Sequence, residues 1–333
     1  MKRLEVLIYA AALFFLFVLC RYIPQTYPQL YRAELKPVSV NVRRGCSTQS
    51  LVHTLKQKDV ILFEKPMRVW LALSGSDKTI RPGMCRIVPG SVFTVSKQLK
   101  NARPEFCAVS IIPGKTLAEI AESNGLSLER LKSELADADN FPEELRPLLP
   151  KDVSARSVFL LPESYFLVPN EKIEQQLTAF ASKLWFEKVG KTIPAEKFNA
   201  KYLFETGIMA SIVEGEARVK EDRKPLAEIF LKRLKVPMRL QSCATVIYCW
   251  KEFKGVKKSR LTYADLNIDC PYNTYRKDGL PPGPINVPSA DCWLAVCGAG
   301  DTEYLYFVAD GNGRHLFSKS YDEHLKKQRG IKR

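Results

Sequence analysis

A chain of 333 residues, 46% of them hydrophobic and 26% charged, can bury a core, which excludes disorder throughout. At roughly 150 residues per domain, that length corresponds to about two folded units. The net charge of +15 points to an anionic partner, whether nucleic acid, anionic lipid or an acidic polymer such as cell wall.

The N-terminus narrows that choice. Lys2 and Arg3 precede Val6 to Cys20, an uncharged apolar run that Leu4 and Tyr22-Ile23 can extend toward the length of a membrane span. No small-residue cleavage site follows, so the expectation is an uncleaved anchor over residues 1–24, with a cleaved signal as the alternative. The basic start favours keeping the N-terminus inside, which places the bulk of the chain in the periplasm or outside the cell. That location argues against nucleic acid. Pro24, Pro28 and Pro37 then mark an extended stalk over residues 25–37.

The next elements alternate in type. Val38 to Val42 has the period of a strand, Thr48 to Lys56 that of a helix, and Lys65 to Leu73 that of a second helix. Gly83 to Val88 reads as a strand closed by Pro89-Gly90, and Ser91 to Leu99 as a further helix. These form a small α+β unit over residues 38–104. A connecting segment over 105–155 opens with the strand Ala108 to Ile112 and continues with helices at Thr116 to Ser123 and Leu126 to Leu135. Gly114-Lys115-Thr116 lacks the glycine that a phosphate loop needs five residues earlier, where Val109 stands. Asp137 to Pro150 reads as a loop or linker. A larger α+β domain is expected over 156–326, ending in a hairpin whose turn is Asp310-Gly311, and a mobile basic tail over 327–333.

Nine cysteines suit an exported chain, and at least one disulfide is expected within residues 243–297, where Cys243 and Cys249, and Cys292 and Cys297, lie close in sequence. No C-x-x-C pair occurs and histidines are limited to His53, His315 and His324, so no metal site is expected. Among carboxylates, Glu216 stands out. In a helix over Thr206 to Val219 it lies about 20° from Met209 and about 40° from Ile212, within the apolar stripe, whereas Glu214 is about 200° round and faces away. An acid on an apolar face is costly to ionise, which suits a proton donor; a helix-end glutamate paired with Arg218 or Arg223 is the bland alternative. Leu226 to Leu234 is an amphipathic helix of core character.

Several motifs then occur in order: Ala210 to Glu216 (ASIVEGE), Glu221 to Arg223 (EDR), Met238 to Ser242 (MRLQS) and Thr245 to Tyr248 (TVIY). They continue with Tyr272 to Tyr275 (YNTY), Gly279 to Ile285 (GLPPGPI) and Tyr304 to Gly313 (YLYFVADGNG), followed by His315 and Phe317. The set resembles the endolytic murein transglycosylase, or YceG-like, family. Pro162 to Phe166 (PESYF), the anchor and the small unit, which is LysM-like in that family, extend the likeness more weakly.

The resemblance implies a single-pass inner-membrane enzyme that cuts nascent peptidoglycan strands after N-acetylmuramic acid and leaves 1,6-anhydro ends. It implies Glu216 as the catalytic acid and substrate contacts from Glu214, Gln241, Ser242, Thr245, Tyr272, Asn273, Tyr275, Pro282, Asp310 and His315. No metal or cofactor is implied; peptidoglycan synthases (penicillin-binding proteins) are the implied protein partners. This chain departs from the family pattern at Cys243, where an acidic residue is usual, at Cys85, Cys249 and Arg314, and at Val287 and Ser289 within Ile285 to Ser289. The loss of the acid at 243 leaves open a catalytically weak or inactive peptidoglycan-binding scaffold.

Overall fold

The alternating run Val38–Val42 forms strand β1, which pairs antiparallel with β2 (Gly83–Ile87), Val40 lying opposite Cys85. Helices α1 (Thr48–Gln57), α2 (Glu64–Leu73) and α3 (Val92–Asn101) accompany this ribbon. Ser47 and Ser91 cap the first and third, their hydroxyls accepting the N–H groups of Ser50 and Thr94. The inward residues Val40, Leu55, Met67, Leu71, Ile87 and Val95 make one buried cluster. A ribbon of two strands is marginal by itself, and the helices supply its apolar cover.

This computed structural model describes residues 11–15, 36–42, 46–102, 105–169 and 172–331. It divides into two units, residues 1–107 with 168–170 and residues 108–167 with 171–333. Residues 11–15 are helical. Among the described residues no helix is long and apolar enough to cross a membrane, and the expected anchor and stalk lie mostly outside them.

The second unit takes in the expected connecting segment from residue 108 onward. Strand β3 (Cys107–Ser110) pairs with β4 (Ser164–Leu167). Helix α4 (Leu117–Asn124) starts on a capping box between Thr116 and Glu119, and α5 (Leu128–Ala136) follows. The stretch Asp137 to Pro150, expected as a loop or linker, is a packed loop: it folds into short 3₁₀ turns with Phe141 and Leu145 buried. Its prolines and acids punctuate turns, and its apolar residues hold those turns to the core.

Helices α6 (Ile173–Lys188), α7 (Ala200–Glu216), α8 (Lys220–Lys235), α9 (Cys243–Lys254) and α10 (Ala290–Cys297) complete the body. Trp185 meets Phe159 and Trp293 at ring-centroid distances of 4.8 and 5.0 Å, the centre of the core. Helix α7 passes beside it, and a Cβ at Gly207 would stand 3.0 Å from the Trp293 ring, so a glycine permits the approach. The hairpin β5 (Tyr306–Ala309) and β6 (His315–Ser318) pairs as the Asp310-Gly311 turn requires. The basic C-terminal stretch is helical over its described part. Helix α11 (Tyr321–Gly330) has Ser320 as its cap, acidic residues in its first turn and basic ones in its last. The architecture is α+β.

The expected disulfide joins Cys249 of α9 to Cys270, a sequence separation of 21, and leaves Cys243 and Cys292 unpaired. Closing a loop of that length is worth about 3 kcal/mol. Replacing Cys249 and Cys270 together by Ser is expected to lower unfolding free energy by about 3 kcal/mol. Denaturant titration, with unreduced peptide mapping of the parent, measures it; an unchanged midpoint would show that the bridge does not constrain the unfolded chain.

Candidate active site

Helix α7 ends at Glu216, three residues short of the expected Val219, because the chain turns extended at Ala217 before α8 begins. Its last turn carries Glu214 and Glu216, and each carboxylate meets the start of a different helix. Glu216 Oε1 accepts the Ser242 hydroxyl, in a very short contact, and the Ala244 N–H at 3.0 Å. Glu214 Oε2 accepts the N–H of Ser289 at 2.9 Å and its hydroxyl. Ser242 and Ser289 are the N-cap residues of α9 and α10. The splay computed from helical period is therefore real, and each acid faces the positive end of a helix dipole.

The setting of Glu216 differs from the expected apolar stripe. It is half-buried and its carboxyl meets hydrogen-bond donors. Ser242 does not cap its own helix with its side chain; Glu216 takes that place by accepting the Ala244 N–H. Both donors go to Oε1. Oε2 makes no hydrogen bond to a described residue and is not sealed from solvent. One oxygen is thus held by two donors and the other is not.

Two features bring these groups together. A Cβ at Gly215 would lie 2.6 Å from the Ala244 Cβ, so the glycine lets α7 and α9 touch at the acid. Gln241 has φ of 51°, a left-handed conformation unusual for a side-chain-bearing residue, and its N–H donates to Thr274 O at 3.1 Å. This turns the chain so that Ser242, fully buried, reaches Glu216. Thr274 supports it, its Oγ1 accepting the Ser242 N–H at 2.9 Å.

The remaining expected residues fall into groups. Tyr275 lies beside the acid: its hydroxyl is 3.2 Å from the Cys243 sulfur, and both groups are pushed up in pKa. Desolvation is the main cause for each, followed by the neighbouring thiol for Tyr275 and by Glu216 for Cys243. Cys243 is exposed as a residue, yet enough protein surrounds its sulfur to desolvate it. Tyr272 packs on Tyr248, ring centroids 4.8 Å apart, and against Gly283. Thr245 and Asn273 are buried in the scaffold. Thr245 bonds Ser242 O and Thr274, and the Asn273 amide donates to Leu266 O and Ile268 O. Pro282 is exposed. Asp310 accepts the N–H groups of Asn312 and Arg314 within its turn, and those backbone bonds hold its carboxyl below the usual range. His315 Nδ1 lies 2.8 Å from Asp222 Oδ2, a buried pair that ties the hairpin to α8.

Arg233 was not singled out by the motifs. Its guanidinium is buried and donates to Leu305 O at 2.8 Å and Leu240 O at 2.6 Å, joining the hairpin to the segment that leads into Ser242. Desolvation lowers its pKa, and nearby Tyr306, Tyr275 and Glu216 oppose that shift. The signal was present: Arg233 lies about 20° from Leu226 around α8, in the apolar stripe. Thr274 and Ala244 carried no such signal.

The geometry thus sets one carboxyl against the start of α9 on an α+β scaffold and turns a second to the start of α10. Residues 40–330 match the sequence model of the YceG-like family, and the chain belongs to that family. It is 30% identical over 306 residues to the endolytic murein transglycosylase of Bacillus subtilis, covering 87% of this chain and 83% of that one. It is 29% identical over 246 residues to the endolytic murein transglycosylase of Streptococcus pneumoniae strain D39, covering 66% of this chain and 44% of the relative. Among solved structures, a YceG-like protein of Listeria monocytogenes superposes with a TM-score of 0.55 at 25% identity, over 88% of this chain and 99% of that one.

Proposed function

We propose that this chain is an endolytic lytic transglycosylase that cleaves peptidoglycan glycan strands after N-acetylmuramic acid, with Glu216 as acid and then base. The observation that carries the reading is the single carboxyl with one oxygen pinned by Ser242 and Ala244 and the other without a hydrogen-bond partner among the described residues. In the first step protonated Glu216 gives its Oε2 proton to the glycosidic oxygen as the bond to C1 breaks. In the second, the resulting carboxylate takes the proton of the same sugar's 6-hydroxyl as that oxygen bonds to C1. The acid is regenerated and a 1,6-anhydro end results. An intramolecular nucleophile needs no second carboxylate to position water. That agrees with Glu214 being engaged at Ser289.

The wider reading goes with it. Residues 1–24 anchor the chain in the cytoplasmic membrane, residues 25–37 form a stalk, residues 38–104 act as a LysM-like unit and residues 156–326 carry catalysis in the periplasm or outside the cell. Strand cutting during synthesis limits strand length and brings the enzyme near peptidoglycan synthases. Digestion of purified glycan strands by the full chain, followed by mass spectrometry, should release fragments with anhydro ends; reducing ends alone would overturn the reaction. A reporter active only in the cytoplasm, fused after Arg333, should be silent, and a bright signal would reverse the topology.

Ser242 gives a graded test. Ser242→Ala removes one donor to the Glu216 carboxyl while the Ala244 N–H remains. Hydrogen bonds to charged groups are worth about 1.5–3 kcal/mol, so turnover should fall by roughly 10- to 100-fold. An unchanged turnover, or a fall matched by loss of folded protein in a thermal melt, would mean that Ser242 only shapes the loop.

A further inference from the structure

Helix α2 of the first unit is apolar on two sides. Met67 and Leu71 are buried, whereas Val69 and Leu73, one turn apart on another side, are 55% and 78% exposed. Trp70, half-buried and a turn before Leu73, meets the ring of Phe93 edge to face at a centroid distance of 4.6 Å. Phe93 stands on α3 and is itself 62% exposed. The two helices thus share an apolar face, made of Val69, Leu73, Trp70 and Phe93, that the core does not use. Single exposed apolar residues are ordinary, but a group that adjoins across two helices marks a surface that meets something other than water. Its rim is basic. Lys65 precedes Val69 by one turn and Arg68 lies one turn from Ala72, while Lys97 and Lys100 follow Phe93 along the same stripe of α3; all four are exposed. Glu64, the acid of α2, is bonded to His53 at 3.1 Å. Residues 38–107 hold twelve Lys or Arg against four Asp or Glu, so this small unit carries +8 of the chain's +15.

We propose that this face docks on an anionic lipid surface, its apolar side chains entering the headgroup boundary while Lys65, Arg68, Lys97 and Lys100 meet lipid phosphates. An apolar centre with a tryptophan and a basic rim is the composition that settles at a membrane interface. Each basic residue near an anionic leaflet favours the bound state by roughly fivefold, an effect that salt weakens. A glycan fits less well, because its hydroxyls need hydrogen-bond partners and the most exposed part of the face, Leu73 and Val69, offers only hydrocarbon. Fourteen residues separate Ile23, at the end of the apolar N-terminal run, from Val38, a length of at most about 50 Å when extended. A chain anchored by that run holds the unit within reach of the bilayer, where tethering makes even a weak face effective. The face is then a second attachment that lays the unit on the surface. The inference rests on the membrane-anchored reading for where the unit sits, whereas the face is read from its own residues.

The test is tryptophan quenching of the full chain with vesicles of equal parts phosphatidylglycerol and phosphatidylcholine, brominated near the headgroup end of their acyl chains. Of the four tryptophans, Trp185 and Trp293 are fully buried and none lies in the apolar N-terminal run, so the difference between parent and Trp70→Phe isolates Trp70. Phenylalanine keeps a ring against Phe93, so the unit should still fold. Quenching should be present in the parent, absent in Trp70→Phe, and weaker by roughly twofold or more in vesicles of phosphatidylcholine alone. Changing Val69 and Leu73 together to Gln, both exposed, should abolish it with an unchanged thermal melt and an unchanged charge. Quenching that is equal in the parent and Trp70→Phe, or that survives Val69→Gln with Leu73→Gln, overturns the proposal. So does a Trp70 emission that vesicles leave unmoved and purified glycan strands shift, which would give the face to sugar. Alkaline carbonate extraction of the same vesicles reads the anchor separately. A chain that carbonate removes, yet whose Trp70 was quenched beforehand, would sink the anchor and leave the face; one that resists extraction without Trp70 quenching would do the reverse.

Discussion

Glu216→Gln should reduce release of anhydro-ended fragments by about 10⁴-fold or more while the protein folds and binds glycan as before. Acid catalysis alone typically supplies 10²–10⁴, and the same group must also deprotonate the attacking hydroxyl. Glutamine retains an oxygen that can accept the Ser242 hydroxyl and the Ala244 N–H, so the cap on α9 survives and the melt should move little. Glu214→Gln provides the contrast. Its carboxylate bonds Ser289 at the start of α10, so the cost should appear mainly as about 1 kcal/mol of stability, with activity kept within about tenfold. Purified strands, mass spectrometry of the products and a thermal melt measure all of this. Activity retained in Glu216→Gln and lost in Glu214→Gln would mean that the acid has been misassigned.

Gly215→Ala should be nearly as damaging for a purely steric reason. The added Cβ would stand 2.6 Å from the Ala244 Cβ, whereas carbon atoms rest at about 3.5–4.0 Å. Helices α7 and α9 must therefore part by about 1 Å, and a misplacement of that size can cost about 10²-fold in rate. Alanine is favoured over glycine inside a helix by about 1 kcal/mol, so stability should fall less than activity does. The second change Ala244→Gly removes the opposing methyl but keeps the N–H that holds Glu216. The double variant should recover most of the lost turnover. If Gly215→Ala alone is fully active, or if Ala244→Gly brings no recovery, the close approach is not what sets the acid.

Much of the local structure was legible because its signals are local. Val38–Val42 alternates and forms a strand, Ser47 and Ser91 cap the helices they precede, and Asp310-Gly311 closes a hairpin. The errors arose where local and tertiary preferences disagree. The acids and prolines of Asp137 to Pro150 suggested a linker, but Phe141 and Leu145 are buried, and their burial holds the segment against the core. The C-terminal stretch was read only as a basic tail, and the acidic start that matches the dipole of α11 lies ahead of it in the chain.

For the candidate site, helical period alone separated Glu216 from Glu214, because the two positions are about 200° apart on any α-helix. The same arithmetic puts Arg233 in the apolar stripe of α8, a signal that the sequence analysis did not use, and the motifs marked Ser242. What the sequence could not contain was the partner of each group. That Glu216 meets Ser242 and Ala244, that Gly215 must be small because Ala244 is there, and that Cys249 pairs with Cys270 all depend on segments 21 to 29 residues apart arriving within a few ångströms. Period and composition report which face of an element is apolar; the identity of the facing residue follows from packing of the whole unit, where burial energy is non-directional and the hydrogen bonds are satisfied afterward.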